Sequence, residues 1–346
     1  MRNSNIELFR ILLFLMIIVI HSTSVGLVVS NGFKMGSLNW FYADFMRSFA
    51  GGAVIVFVLI TGYFRSATEK SPFKEFLNLF VPLAFYCVII AAFSMMDTKG
   101  SLGKQVVDLL TCQGMFYHLW FMWPYLFLII LSNYLNILID SINEKQLVAL
   151  LVILFFSQSV IPTVNIIAGK NVIFPGLFES KMLLFITLYM QGAYLRKYGL
   201  SFSVKQSLSG YVFLSIIIGW LNYLYNIGEN GAQKLSGPYY PFFSDYTSLL
   251  VIVSSILLFN GFIKWKFSSA VVNQIAKYTY GAYLVHVIFI TLMRQVLPES
   301  SVPYMNYNSS WFPLIDLQYV VIVATASIII ESIRQLFWNK LTNIRV

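Results

Sequence analysis

Ten runs of roughly 20 predominantly apolar residues dominate this chain, and few folds can accept such a sequence. As a helix, a run of that length spans the ~30 Å hydrocarbon core of a bilayer. Backbone N–H and C=O groups in hydrocarbon must pair within their own segment, so helix is the form each run takes. The runs fall at 7–29, 45–64, 75–95, 117–137, 146–163, 180–195, 209–226, 246–263, 277–297 and 316–338. The chain therefore reads as an all-α polytopic membrane protein with both termini cytoplasmic. Only 11% of its residues are charged and 58% are hydrophobic, whereas a soluble domain carries about 25% charged residues.

The first run has a longer apolar core than a cleavable signal peptide and no small-residue cleavage site after it, so it is expected to remain in place. The connections are short, which leaves one integral membrane domain over residues 1–346 and no appended soluble domain. With both ends inside, most basic residues fall on the cytoplasmic side, among them Arg10, Arg65, Lys74, Lys145, Arg196, Lys197, Lys264, Lys277 and Arg334. Acids and bases balance outside, so the net charge of +9 collects on the inner face, as expected when Lys and Arg set orientation. The basic balance is a topology signal and implies no nucleic-acid partner. The two cysteines, Cys87 and Cys112, suggest neither a disulfide nor a structural zinc site, which needs more ligands.

The opening run, "NIELFRILLFLMIIVIH", carries Glu7, Arg10 and His21 into apolar surroundings. Arg10 and His21 are 11 residues apart, about 20° after three full helical turns and roughly 16 Å along the axis. Glu7 falls about 40° away on the same stripe, three residues before Arg10, where the two can pair. One reading makes Glu7 and Arg10 interfacial anchors and His21 a packing residue. The other makes this face a long site for an extended anionic ligand, with phosphate at Arg10 and the reactive end at His21. A neutral imidazole removes protons from hydroxyls near neutral pH, which makes it the usual general base.

The chain has only three histidines, and no pair lies four residues apart, which argues against a metalloenzyme. His118 sits in "GMFYHLWFMWPYLF" beside Trp120 and Trp123, a pattern shared by interfacial aromatic belts and substrate sites. His286 closes a three-residue repeat with Tyr280 and Tyr283 in "KYTYGAYLVHVIF". Such a polar stripe faces other helices or a cavity. In "FVLITGYFR", Thr61 and Gly62 favour close helix packing, and Arg65 anchors the cytoplasmic end.

The stretches "NIELFRILLFLMIIVIH", "VFVLITGYF", "HLWFMWPYLF" and "KYTYGAYLVHVIF", in this order, resemble acyltransferase family 3 over essentially the whole chain. The resemblance implies transfer of an acetyl or other acyl group from acyl-CoA to a sugar hydroxyl. The acceptor would be a surface polysaccharide or its lipid-linked precursor, and the setting the bacterial cytoplasmic membrane. It implies that His21 is essential and that Arg10 matches the family's preceding arginine, with acetyl-CoA as co-substrate and no metal. Many members carry an RxxR pair at the start of the third span. This chain reads "PFKEFLNLFVPL" there, so Lys74 and Arg65 are expected to take the coenzyme phosphates instead.

On this scheme Arg10, Arg65 and Lys74 hold the coenzyme, and His21 with Arg10 forms the catalytic pair. Glu7, His118, Trp120, Tyr283 and His286 meet the substrates, the last two or His118 offering an oxyanion donor. The outer segments Tyr225–Tyr246 and Pro298–Asp316 mix aromatic, amide and carboxylate side chains, a composition shared by glycan sites and ordinary turns. A transporter or flippase is the competing class. It would show repeat symmetry or paired broken helices, and Pro82 and Pro124 do not occupy matching positions of two halves.

Overall fold

A computed structural model of the chain describes residues 3–24, 27, 32–34, 36–68, 71–98, 101–168, 180–227, 243, 245–303 and 306–343. These residues form helices and turns with no strand among them. The principal helices are α1 (Ser4–Ser24), α2 (Leu38–Ala50), α3 (Ala53–Arg65), α4 (Pro72–Thr98), α5 (Leu102–Thr111), α6 (Met122–Ser141) and α7 (Glu144–Phe155). They continue with α8 (Ile161–Ile167), α9 (Lys181–Lys197), α10 (Val204–Ile227), α11 (Leu249–Lys264), α12 (Ala270–Ile275), α13 (Thr279–Val296) and α14 (Phe312–Asn343). A 3-10 segment, Gly114–Phe121, leads into α6, and a π-helical turn, Phe156–Val160, joins α7 to α8.

Among the described residues, 8 helical segments are long and apolar enough to cross a membrane. Helices α9 and α11 stand where two more crossings are expected but have only 17 and 16 residues. The expected opening run reaches residue 29, whereas α1 ends at Ser24; residues 25–26 and 28–29 lie outside the described set. The second expected run starts earlier than its apolar centre, because Ser37 caps α2 by accepting from Trp40 N–H. A Gly51–Gly52 turn then separates α2 from α3. Helix α5 falls in what reads as a connection: Ser101 caps it, and its apolar residues Val107 and Leu110 face away from the protein.

Helix α1 is the central element. It packs against α2, α3, α11, α12, α13 and α14. Phe9, Leu13, Phe14 and Ile18 are fully buried. Phe9 stacks on Phe262 at 4.1 Å between centroids, and Asn5 donates to the Phe262 carbonyl at 2.7 Å, tying α1 to α11. Helices α4 and α14 lie outside this centre and expose apolar side chains such as Val88, Met96, Val321 and Phe337, the surface a bilayer would cover. Between them a carboxylate is fully engaged. Glu331 accepts from Tyr86 at 2.6 Å and from two Arg334 nitrogens at 2.7 Å.

Gly62 and Gly192 let α3 and α9 approach backbone to backbone. A Cβ on Gly62 would lie 2.1 Å from the Tyr189 carbonyl oxygen, and one on Gly192 would lie 2.3 Å from that of Leu59. This is small-residue packing of the kind used between membrane helices. Gly62→Ala is expected to lower stability by about 1–3 kcal/mol through overpacking. Gly103→Ala, whose new methyl meets open space, is expected to leave stability unchanged or slightly raised. Thermal unfolding of the two detergent-solubilised variants checks the contrast.

Candidate functional site

The polar stripe of α1 faces protein cavities. Glu7 and Arg10 pair at 3.2 Å. Both line a cavity of about 310 Å3 together with Thr61, Glu75, Tyr125, Lys277, Tyr280 and Tyr283. Eleven residues further along α1, His21 lines a second cavity of about 200 Å3 with Arg47, His118, Trp120, Asp245, Tyr246 and Tyr283. Ile17, Val54, Phe121 and Tyr283 belong to both walls. The two cavities therefore lie in series along one helix face and share part of their walls, with the histidines His21 and His118 at the second.

Three helical segments converge to bring the histidines together. The His286 ring lies 5.2 Å from that of His21, at an interplanar angle of 27°, and 5.2 Å from that of His118 at 86°. His118 Nε2–H donates to the Leu284 carbonyl at 3.1 Å, and His286 Nδ1–H donates to the Tyr283 carbonyl at 2.5 Å. A carbonyl only accepts, so these bonds assign the ring protons: the one N–H of each neutral imidazole is already engaged. Tyr283 in turn donates its hydroxyl to the His118 carbonyl at 2.6 Å. His21 is held differently, by a side chain: its Nδ1 lies 3.2 Å from Tyr117 Oη. When the phenol accepts from Nδ1–H, His21 Nε2 is left as a base. Among the described residues, no group of His, Cys, Asp and Glu comes together in a way that would hold a metal ion.

Of the expected site residues, His21, His118, Trp120 and Tyr283 share the second cavity, with His286 packed against His21 and His118. Glu7 and Arg10 share the first with Tyr283. Trp120 stacks on Tyr246 at 4.9 Å, and Lys181 sits 4.7 Å over the Trp120 ring. Arg65 and Lys74 line neither cavity. Arg65 is buried and bonded to Ser132 and to Glu75, whose carboxylate lines the first cavity. Lys74 lies on the exposed first turn of α4. Lys277, which reads from sequence only as a cytoplasmic charge, is the lysine in the cavity wall.

Arg47, Tyr117 and Asp245 were not singled out by pattern. Arg47 carried a usable signal, because an arginine inside an apolar run is a functional residue by default. Most of the outer segment Tyr225–Tyr246 lies outside the described residues, but Asp245 and Tyr246 reach the second cavity. In Pro298–Asp316, apart from residues 304–305, Tyr307 and Phe312 are buried, whereas Trp311 is exposed. Tyr307 and Phe312 pack on Phe33, and Asn39 donates to the Tyr307 and Ser309 carbonyls at 2.8 and 2.7 Å.

A family model described as an acyltransferase domain matches residues 3–331, which includes all of these positions. No curated protein and no solved structure matches the chain.

The two-cavity arrangement has a direct chemical readout. In a background with Cys87 and Cys112 replaced by Ala, Thr61→Cys is expected to react with a membrane-impermeant thiol reagent only from the Arg10 side. Ile20→Cys is expected to react only from the His21 side. Labelling of right-side-out and inverted vesicles compares the two.

Proposed function

Because this membrane protein belongs to acyltransferase family 3, we propose that it transfers an acetyl group from acetyl-CoA to a sugar hydroxyl. The acceptor is a surface polysaccharide or its lipid-linked precursor, and the protein works in the bacterial cytoplasmic membrane. The observation that carries this reading is the pair of cavities in series along α1, with Arg10 in one and His21 in the other. A cavity with a cation at its mouth and an imidazole beyond its far end suits a long phosphorylated thioester.

Coenzyme phosphates bind in the first cavity, where Arg10 supplies a fork suited to phosphate and Lys277 a point charge. Glu7 holds the Arg10 guanidinium in place. Arg65 contributes by neutralising Glu75, and Lys74 adds positive charge at the cytoplasmic start of α4. The pantetheine arm follows α1 past Ile17 and Val54, and the thioester reaches His21. The acceptor hydroxyl enters the second cavity, where Trp120 and Tyr246 offer aromatic faces for a sugar ring. His21 Nε2 takes the hydroxyl proton as oxygen attacks the thioester carbonyl. The C–S bond then breaks, and the thiolate leaves with that proton.

His21→Ala is expected to reduce glycan O-acetylation by about 10²- to 10⁴-fold, the scale of a lost general base. NMR of glycan from a complemented deletion strain measures it, and wild-type acetylation in the variant would refute the scheme. Arg10→Ala is expected to raise KM for acetyl-CoA by about 10- to 100-fold, the equivalent of about 1.5–3 kcal/mol for a lost charge-assisted bond, with a smaller effect on kcat. Thiol release from acetyl-CoA by inverted vesicles reads both constants.

A further inference from the structure

Attack on a thioester places a full negative charge on the carbonyl oxygen, and a donor aimed at that oxygen is usually the largest single contribution to catalysis. The histidines and tyrosine around His21 do not have that donor to spare. The N–H of His118 goes to Leu284, that of His286 goes to the Tyr283 carbonyl, and the Tyr283 hydroxyl goes to the His118 carbonyl. The carboxylate of Asp245 only accepts and already takes two bonds from Thr247 at 2.8 Å. The Gly51 amide is engaged with the Arg47 carbonyl at 2.8 Å.

We propose that Arg47 is the oxyanion-binding residue of the acyl transfer. Its guanidinium lines the same cavity as His21, and one of its nitrogens donates to Ser24 Oγ, three residues beyond His21 on α1. Ser24 lies about one helical turn beyond His21, so the cation stands near the base along α1. A guanidinium carries five N–H donors in a planar fork and no acceptor, which suits it to an oxyanion. Trp120 and Tyr246 are the neutral donors in the wall, and charge-assisted bonds are about twice as strong as neutral ones. In the proposed step the acceptor oxygen bonds to the carbonyl carbon while its proton moves to His21 Nε2. The carbonyl π electrons move onto oxygen, where Arg47 N–H groups hold them. Collapse re-forms the C=O bond and expels the thiolate.

The proposal rests on acyl transfer as the activity, so His21→Ala is run beside the Arg47 variants. The assay follows thiol release from acetyl-CoA by the full chain in lipid nanodiscs, with glycan extracted from the deletion strain as acceptor. Arg47→Ala is expected to lower kcat by about 10²- to 10³-fold, the scale of a lost oxyanion donor, with KM for acetyl-CoA little changed. Added guanidinium ion is expected to restore part of that rate, and Arg47→Lys to fall between the alanine variant and the wild type. Ser24→Ala removes the tie between Arg47 and α1 but leaves the guanidinium in place, and is expected to keep most of the activity. Loss in Ser24→Ala equal to that in Arg47→Ala, with no guanidinium rescue, would make Arg47 a structural anchor and overturn the proposal. Full activity of Arg47→Ala beside an inactive His21→Ala overturns it equally, while leaving acyl transfer itself intact. Should Arg47→Ala fail to fold, Arg47→Lys and Arg47→Gln carry the same comparison. A wild type that releases no thiol, by contrast, would count against the acyl-transfer reading and Arg47 with it.

Discussion

A charged or titratable side chain facing hydrocarbon costs about 2.5–3.5 kcal/mol at the bilayer centre on insertion scales, and that penalty organises this structure. Helix α1 carries a carboxylate, a guanidinium and an imidazole on one face, so it cannot sit at the periphery of the bundle. It occupies the centre instead, with six other helices around it. Its purely apolar side chains Phe9, Leu13, Phe14 and Ile18 seal against neighbours at essentially zero exposure. Its polar ones open into cavities shared with α3, α13 and the segment leading into α6. The same rule governs Glu331, which lies between α4 and α14 with its carboxylate bonded by Tyr86 and Arg334.

Within that enclosure the two cavities differ in the balance of their polar groups. The cavity at the start of α1 holds two cations and two carboxylates, Arg10 and Lys277 against Glu7 and Glu75. The cavity further along holds imidazoles and aromatic rings, with one cation, Arg47, and one carboxylate, Asp245. The rings of Phe121 and Tyr283, with Ile17 and Val54, form the shared wall between them. Backbone carbonyls fix the orientations of His118 and His286. These two rings are thus rigid supports for His21, whose own nitrogen is held by the Tyr117 side chain.

Much of this was legible residue by residue. The spacing of Arg10 and His21 follows from helical periodicity alone, and the structure puts both on cavity walls. The repeat of Tyr280, Tyr283 and His286 marked an inward face of α13, and each of the three bonds to a carbonyl of the protein, at Leu79, His118 and Tyr283. Gly62 was readable as a packing residue, though not its counterpart Gly192. The lysine of the first cavity was not readable: Lys74 drew attention because it lies where related chains carry an arginine pair, whereas Lys277 reaches the cavity because the short α12 turns the chain before α13. Arg47 was legible as an arginine inside an apolar run, but its neighbour across the cavity was not.

By itself, the sequence determined that the chain crosses a membrane as helices and that one helix bears a cation and an imidazole on a common face. Hydrogen bonding in hydrocarbon and a 3.6-residue turn suffice for both conclusions, since each concerns a single segment. The tertiary structure alone decided that three histidines from distant segments meet, that their protons are committed to particular carbonyls, and that Arg47 stands beside His21. Those facts depend on how far each helix slides and rotates against its neighbours. That register is set by the summed packing of many side chains, which no periodicity within one helix encodes.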